Sequence, residues 1–184
     1  MSRYVLDACA LLALLRNEPG ADKVAAAINA ANNGEAEIIM HKANLLEVYY
    51  DLYRSLGKEK SDLILSEIRK RPIEINAEIN DWLFEEAGRL KASYRISFAD
   101  SFALAQAITS GGEMLTADHH EFDAIEGKEP VRFNLDQIIL RNALPLYISA
   151  GSGVIRHRML AQFSHHHKIQ RPVRLHTNGN GEVP

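Results

Sequence analysis

At 184 residues, with 46% hydrophobic and 24% charged side chains, the chain has the balance of a soluble globular protein with a core of its own, which excludes a disordered one. Its single cysteine, Cys9, excludes an internal disulfide and a cysteine-built zinc site within one chain, and fits a reducing, cytoplasmic compartment. The net charge of −3 is divided unevenly: residues 141–184 carry Arg141, Arg156, Arg158, Lys168, Arg171 and Arg174 against the lone acid Glu182, a net of +5, so the first 140 residues carry −8.

Tyr4-Val5-Leu6 reads as a short buried strand that stops at Asp7. Asp7, so close to the start, and the lack of a small-residue cleavage pattern argue against a signal peptide, and no apolar run is long enough to span a membrane. Ala8 to Leu15 is apolar at helical spacing and is broken by Pro19-Gly20; Ala21 to Ala31 is a second, alanine-rich helix closed by Asn32-Asn33-Gly34. Ile38-Ile39-Met40 is the next strand. Ala43 to Leu56 is a long helix stopped by Gly57, and Ser61 to Arg69 is another, with Ser61 as its expected N-cap and Pro72 beyond its end.

Ile73-Glu74-Ile75 alternates as a strand. Ile79 to Ser93 is amphipathic, with Trp82, Leu83, Ala87 and Leu90 expected on one side, and Phe98 to Ile108 is a helix ended by Gly111-Gly112. Met114-Leu115-Thr116 is a strand stopping at Asp118, and Val131-Arg132-Phe133 is a last short one. Short apolar strands alternating with helices imply an α/β fold, a parallel sheet with helices on both faces. The domain is expected to end near residue 140. Beyond it, Ser149 to Gly153 reads as a linker, and residues 141–184 form a basic, histidine-containing tail expected to be poorly ordered or partner-dependent.

In open parallel sheets ligands bind outside the carboxyl ends of the strands. Asp7 ends the first strand and Asp118 the fourth; Glu47 and Asp100 lie in the first turns of helices that begin at the same edge. Each acid alone has an ordinary explanation: Asp7 as an N-cap, Glu47 and Asp100 as partners of a helix dipole, Asp118 as a turn residue. Four acids from four distant segments at one rim are better explained together as a metal site. Like charges in contact raise each other's pKa, and a bound Mg²⁺ or Mn²⁺ removes that repulsion and prefers oxygen ligands. One ion, or a pair about 4 Å apart, could then serve phosphodiester hydrolysis. Such a site also gives a reason for the acidic body, which charge-driven nucleic-acid binding does not.

The blocks Val5-Leu6-Asp7-Ala8-Cys9-Ala10-Leu11-Leu12-Ala13-Leu14-Leu15 with Glu18-Pro19-Gly20, Asn44-Leu45-Leu46-Glu47-Val48, Phe98-Ala99-Asp100-Ser101-Phe102-Ala103-Leu104-Ala105, and Thr116-Ala117-Asp118 leading to Phe122-Asp123 resemble, in order and spacing, the PIN-domain ribonucleases, and among them the VapC-type toxins of bacterial toxin–antitoxin pairs. The resemblance spans residues 4 to about 135. It implies a three-layer sandwich around a five-stranded parallel sheet of order 3-2-1-4-5, and Mg²⁺- or Mn²⁺-dependent cleavage of RNA. It also implies a homodimer and a cognate antitoxin that occludes the site. Carried over by position, Asp7, Glu47, Asp100 and Asp118 match the family's acids and Thr116 its hydroxyl residue, expected to orient a carboxylate or water. A further acid often follows the fourth; here the candidates are Glu121 and Asp123, beyond His119-His120. The tail has no counterpart in the resemblance.

Other features carry plainer readings. His119 and His120 are weak phosphate-contact candidates, and His165-His166-His167 is more simply incidental than a metal site. Cys9 is expected to be a small buried hydrophobe. Tyr49, Tyr50 and Tyr53 fit a core or an interface better than base stacking, and Arg54, Lys58, Lys60, Arg69, Lys70 and Arg71 fit solvated helix faces. Three rivals stand beside the toxin: a PIN-domain RNA-processing nuclease, a non-catalytic PIN-like binding module, and a haloacid-dehalogenase-like phosphatase with Asp7 as nucleophile. The last normally needs an acid two residues on, where this chain has Cys9.

Overall fold

The strand read at Tyr4–Leu6 runs Ser2–Leu6 (β1) and occupies the centre of a five-stranded sheet in the computed structural model, which describes residues 1–117 and 122–134. Around it lie β2 (Ala36–His41), β3 (Glu74–Asn76), β4 (Glu113–Leu115) and β5 (Arg132–Asn134), in the order β3-β2-β1-β4-β5 and all parallel. The described helices are α1 (Ala8–Arg16), α2 (Ala21–Asn32), α3 (Lys42–Leu56), α4 (Lys58–Ile68), α5 (Asp81–Ser93) and α6 (Phe98–Ser110). The architecture is the expected one, strand order included. Asp118 to Glu121 and the tail from 135 onward lie outside the described residues, so the domain end near 140 stays an expectation.

Alternation along the strands explains the layers. Val5 and Met114 face one core with Leu83, Leu90, Phe102, Leu104 and Phe122. Their neighbours Leu6 and Leu115 face the other, with Leu11, Leu15, Val48, Leu52 and Ile68. Side chains at successive strand positions point to opposite faces, so both faces of this sheet are buried and each needs a helical layer. The helix α6 is sealed from Ala99 through Ala107, as a helix that is apolar nearly all round must be.

The caps follow elementary rules and fix where the helices begin. Asp7, His41, Asn80 and Ser97 accept backbone N–H groups at the starts of α1, α3, α5 and α6. Gly111 (φ 60°) closes α6 in the left-handed region that glycine enters without penalty. Three expectations are corrected. The helix read from Ser61 begins at Lys58, and Ser61 sits inside it, buried, its hydroxyl donating to the Gly57 carbonyl at 2.8 Å; Gly57 both ends α3 and opens α4. Trp82 is exposed while Leu83, Ala87 and Leu90 are buried, because it lies about 100° around the helix from Leu83. Cys9 is exposed, since α1 buries Ala8, Ala10 and Leu11 and turns position 9 outward.

Candidate active site

Asp7 follows the last residue of the central strand. Its Oδ1 accepts the Ala10 N–H at 2.7 Å, so the helix-cap role is real. A cap does not require burial, however, and Asp7 is fully buried, Oδ2 included. Neighbouring strand ends stand level with it. The Asp7 N–H donates to the Leu115 carbonyl at 3.2 Å, and Leu6 pairs with Leu115, so Thr116, also buried, follows the end of β4 beside Asp7. On the other side Val5 pairs with Ile39, which brings His41, at the end of β2, level with Asp7.

Asp100 is the third residue of α6 and is buried; its N–H donates to the Ser97 hydroxyl at 3.0 Å. The far end of α6 is held at the start of β1, where the Arg3 guanidinium donates to the Ser110 carbonyl at 3.1 Å. The first turn of α6, about 20 Å away along the helix, therefore lies at the carboxyl edge with Asp7. The stacking of Phe102 on the His41 ring (4.6 Å between centroids, 13° between planes) fixes that end against β2.

Glu47 is the sixth residue of α3, the helix that starts at this edge. It lies beyond the first turn, so the helix-dipole reading that suits Asp100 does not apply to it. It is half-buried and accepts the Tyr50 hydroxyl at 3.4 Å. Burial first, and then the Glu47 carboxylate, hold the Tyr50 phenol above its ordinary pKa. Asp123 is exposed beside the fully buried Phe122.

The described residues thus bring Asp7, Asp100 and Thr116 to one edge, with Glu47 on the helix that begins there. Among them no three His, Cys, Asp or Glu side chains converge on one metal position. Asp118, the fourth acid of the expected set, and Glu121, His119 and His120 lie outside the described residues. Asp7, Asp100, Thr116 and Glu47 offer oxygen donors, the kind that Mg²⁺ or Mn²⁺ prefers, so their chemistry suits such an ion.

Two buried polar residues at this edge were not singled out by sequence reasoning. His41 caps α3 through Nδ1, which accepts the Ala43 N–H at 3.2 Å; burial pushes its pKa below the ordinary value while the Glu78 backbone acts the other way. Asn44 is fully buried. The signal was available for Asn44: helical spacing puts it in line with Val48 and Leu52 on the face α3 buries, where an amide is out of place. The remaining candidates behave as surface. Tyr50 and Tyr53 are exposed, Arg54 lies 5.6 Å over the Tyr50 ring, and Lys58 and Lys70 pair with Asp62 and Glu67.

A parallel α/β sandwich with buried carboxylates at the carboxyl edge of its central strand defines a class of proteins that bind ligands at that edge. The PIN domain family model matches residues 4–128, and the chain belongs to the PIN domain family. No curated protein sequence is similar enough to be matched. Among solved structures it is similar to VapBC2 of Rickettsia felis bound to a DNA fragment from its promoter (TM-score 0.56, 18% identity, covering 72% of this chain and 98% of that one). It is also similar to DNA-bound VapBC of Salmonella typhimurium (0.55, 16%, 73% and 98%) and to VapC20 of Mycobacterium tuberculosis, a toxin that cleaves the sarcin–ricin loop (0.51, 16%, 66% and 94%). At these identities the likeness is one of fold. Among the described residues no helix is long and apolar enough to cross a membrane.

Proposed function

We propose that this chain is a Mg²⁺- or Mn²⁺-dependent endoribonuclease, the toxin of a toxin–antitoxin pair, acting in the cytoplasm. The observation that carries the proposal is Asp7: a carboxylate with no exposed surface at the end of the central strand of a PIN domain, level with Thr116 and at the same edge as Asp100. In this reading Asp7, Asp100, Asp118 and Glu47 hold the metal, Asp123 is the candidate fifth acid, and the Thr116 hydroxyl orients a carboxylate or the attacking water. A bound divalent ion supplies a water of lowered pKa and compensates the charge that develops on the phosphate. Burial of Asp7 fixes one oxygen on the α1 backbone and thereby sets the direction of the other. The Tyr50 hydroxyl holds Glu47 at the rim.

An RNA substrate is supported by VapC20, a protein of similar fold that cleaves the sarcin–ricin loop. An antitoxin partner and a homodimer come from the resemblance of the four acid-bearing blocks to VapC-type toxins. The test is cleavage of structured RNA by the purified chain with Mn²⁺, set against Asp7→Asn. Asparagine keeps the cap, so the variant is expected to stay folded and lose cutting; unchanged cleavage overturns the assignment.

A further inference from the structure

Asn44 has no exposed surface, and neither its Nδ2 nor its Oδ1 has a hydrogen-bond partner among the described residues. A buried amide left unsatisfied on both sides is uncommon in a native protein and calls for an explanation. Position supplies one. Asn44 lies in the first turn of α3, three residues beyond His41, which ends β2 level with Asp7. Its neighbours divide between the two cores: Ala43 packs against the cluster that contains Phe102, and Leu45 belongs to the cluster that contains Leu6 and Leu11. Residues 43 and 45 stand about 200° apart around a helix with 44 midway between them. Helical geometry therefore places Asn44 between the two cores, in the first turn of the helix that begins level with Asp7. Glu47, one turn on, is its neighbour on the same helix face.

We propose, resting on the metal-dependent reading above, that Asn44 is a positioning residue of the acidic edge. Its Nδ2–H₂ donates to the carboxylates that close around the divalent ion, and its satisfaction is part of what metal binding supplies. It is assigned no contact with substrate and no proton to move. Groups that orient ligands in this way commonly contribute 10- to 100-fold to metal affinity.

The test is Mn²⁺ binding to the full chain, followed by calorimetry and by the Mn²⁺ paramagnetic resonance signal, for wild type, Asn44→Leu and Asp7→Asn. Leucine fills the space without the amide, and removing an unsatisfied buried polar group leaves metal-free stability equal or higher. The expected result is an Asn44→Leu protein with a metal-free Tm at or above wild type and Mn²⁺ affinity lowered about tenfold or more. A folded Asn44→Leu protein that binds Mn²⁺ as wild type does overturns the proposal and leaves the metal site standing, provided Asp7→Asn has lost binding. Wild-type protein that binds no Mn²⁺ overturns both. Should Asn44→Leu not fold, Asn44→Ala is read by the same affinity criterion.

Discussion

The two ends of the sheet spend their polar groups in opposite ways. At the amino edge they are exposed and mutually compensated: Arg3 on β1 pairs with Glu37 on β2 at 2.7 Å and donates to the Ser110 carbonyl at the end of α6. Glu113 and Arg132, register partners on β4 and β5, line the same open cavity of about 520 Å³. At the carboxyl edge most of the polar groups are sealed in, with Glu47 half-buried at the rim. Asp7 and Asn44 have no exposed surface, and His41, Asp100 and Thr116 are buried. Water can satisfy the first arrangement at little cost, whereas burying polar groups is expensive unless they are bonded. The amino edge can thus be a matter of solubility and register. For the carboxyl edge, the proposed divalent ion would supply the purpose.

Asp7→Asn tests that purpose most severely. Removal of one carboxylate charge is expected to lower Mn²⁺-dependent RNA cleavage by about a hundredfold or more, with Tm close to wild type because asparagine caps helices as well as aspartate does. Asp7→Ala adds loss of the cap and is expected to destabilise by about 1 kcal/mol besides. If both variants lost activity only in proportion to lost folding, the edge would be structural, like the other one. The amino edge is best broken through its backbone. A Cβ at Gly112 would meet the Arg3 carbonyl oxygen at 3.3 Å and the Ser110 hydroxyl at 2.9 Å, and the carbonyl belongs to the central strand. Gly112→Ala is expected to cost about 1–2 kcal/mol in thermal or urea unfolding while leaving Mn²⁺ affinity unchanged.

How far each edge could be read in advance differs for physical reasons. Asp7 was legible because strand, cap and helix follow in successive residues, Leu6, Asp7 and Ala8. The helix breaks at Gly57 and Gly111 were legible too, since few other residues end helices so cheaply. The start of α4 was not, because one glycine serves as the end of one helix and the opening of the next, and Ser61 looked like the cap it is not. Apolar periodicity misjudged Trp82 and Cys9 because it identifies a stripe but not its margin. The strand order came from the resemblance: alternation of strands and helices implies a parallel sheet without giving its sequence of neighbours. Convergence of Asp7 and Asp100, more than ninety residues apart in sequence, followed from the rule that helices and strands of such sheets meet their ligands at one edge. Asn44 stood inside a recognised block, and its spacing from Val48 and Leu52 marks it as an amide on an apolar face; that neither side of the amide has a partner is visible only in the structure.

His41 offers a gentler probe of the buried edge. Burial lowers its pKa below the ordinary 6.5, so near and below that pH the unfolded chain binds more protons than the folded one. The stability associated with a neutral His41 is therefore complete above about pH 6.5 and is lost as pH falls, with a slope that one proton bounds at about 1.4 kcal/mol per pH unit. His41→Asn keeps a capping side chain and is expected to flatten unfolding free energy between pH 7 and 5.5, a change of less than about 1 kcal/mol across the window. Denaturant titrations at each pH measure it, and an unaltered slope would mean that another group titrates there.

The smallest effect is expected where the charges are most visible. Arg3 and Glu37 are each nearly half exposed, so solvent and salt screen their attraction, and Arg3→Gln is expected to lower stability by no more than about 0.5 kcal/mol at physiological ionic strength. Glutamine can still donate toward the Ser110 carbonyl, so the end of α6 keeps a partner. The difference between wild type and variant should shrink further in 1 M salt, where screening acts within about 3 Å. A loss of several kcal/mol, or one that salt leaves untouched, would show that the amino edge is coupled to the core as tightly as the carboxyl edge is, and the contrast between the two ends of the sheet would fail at its simplest point.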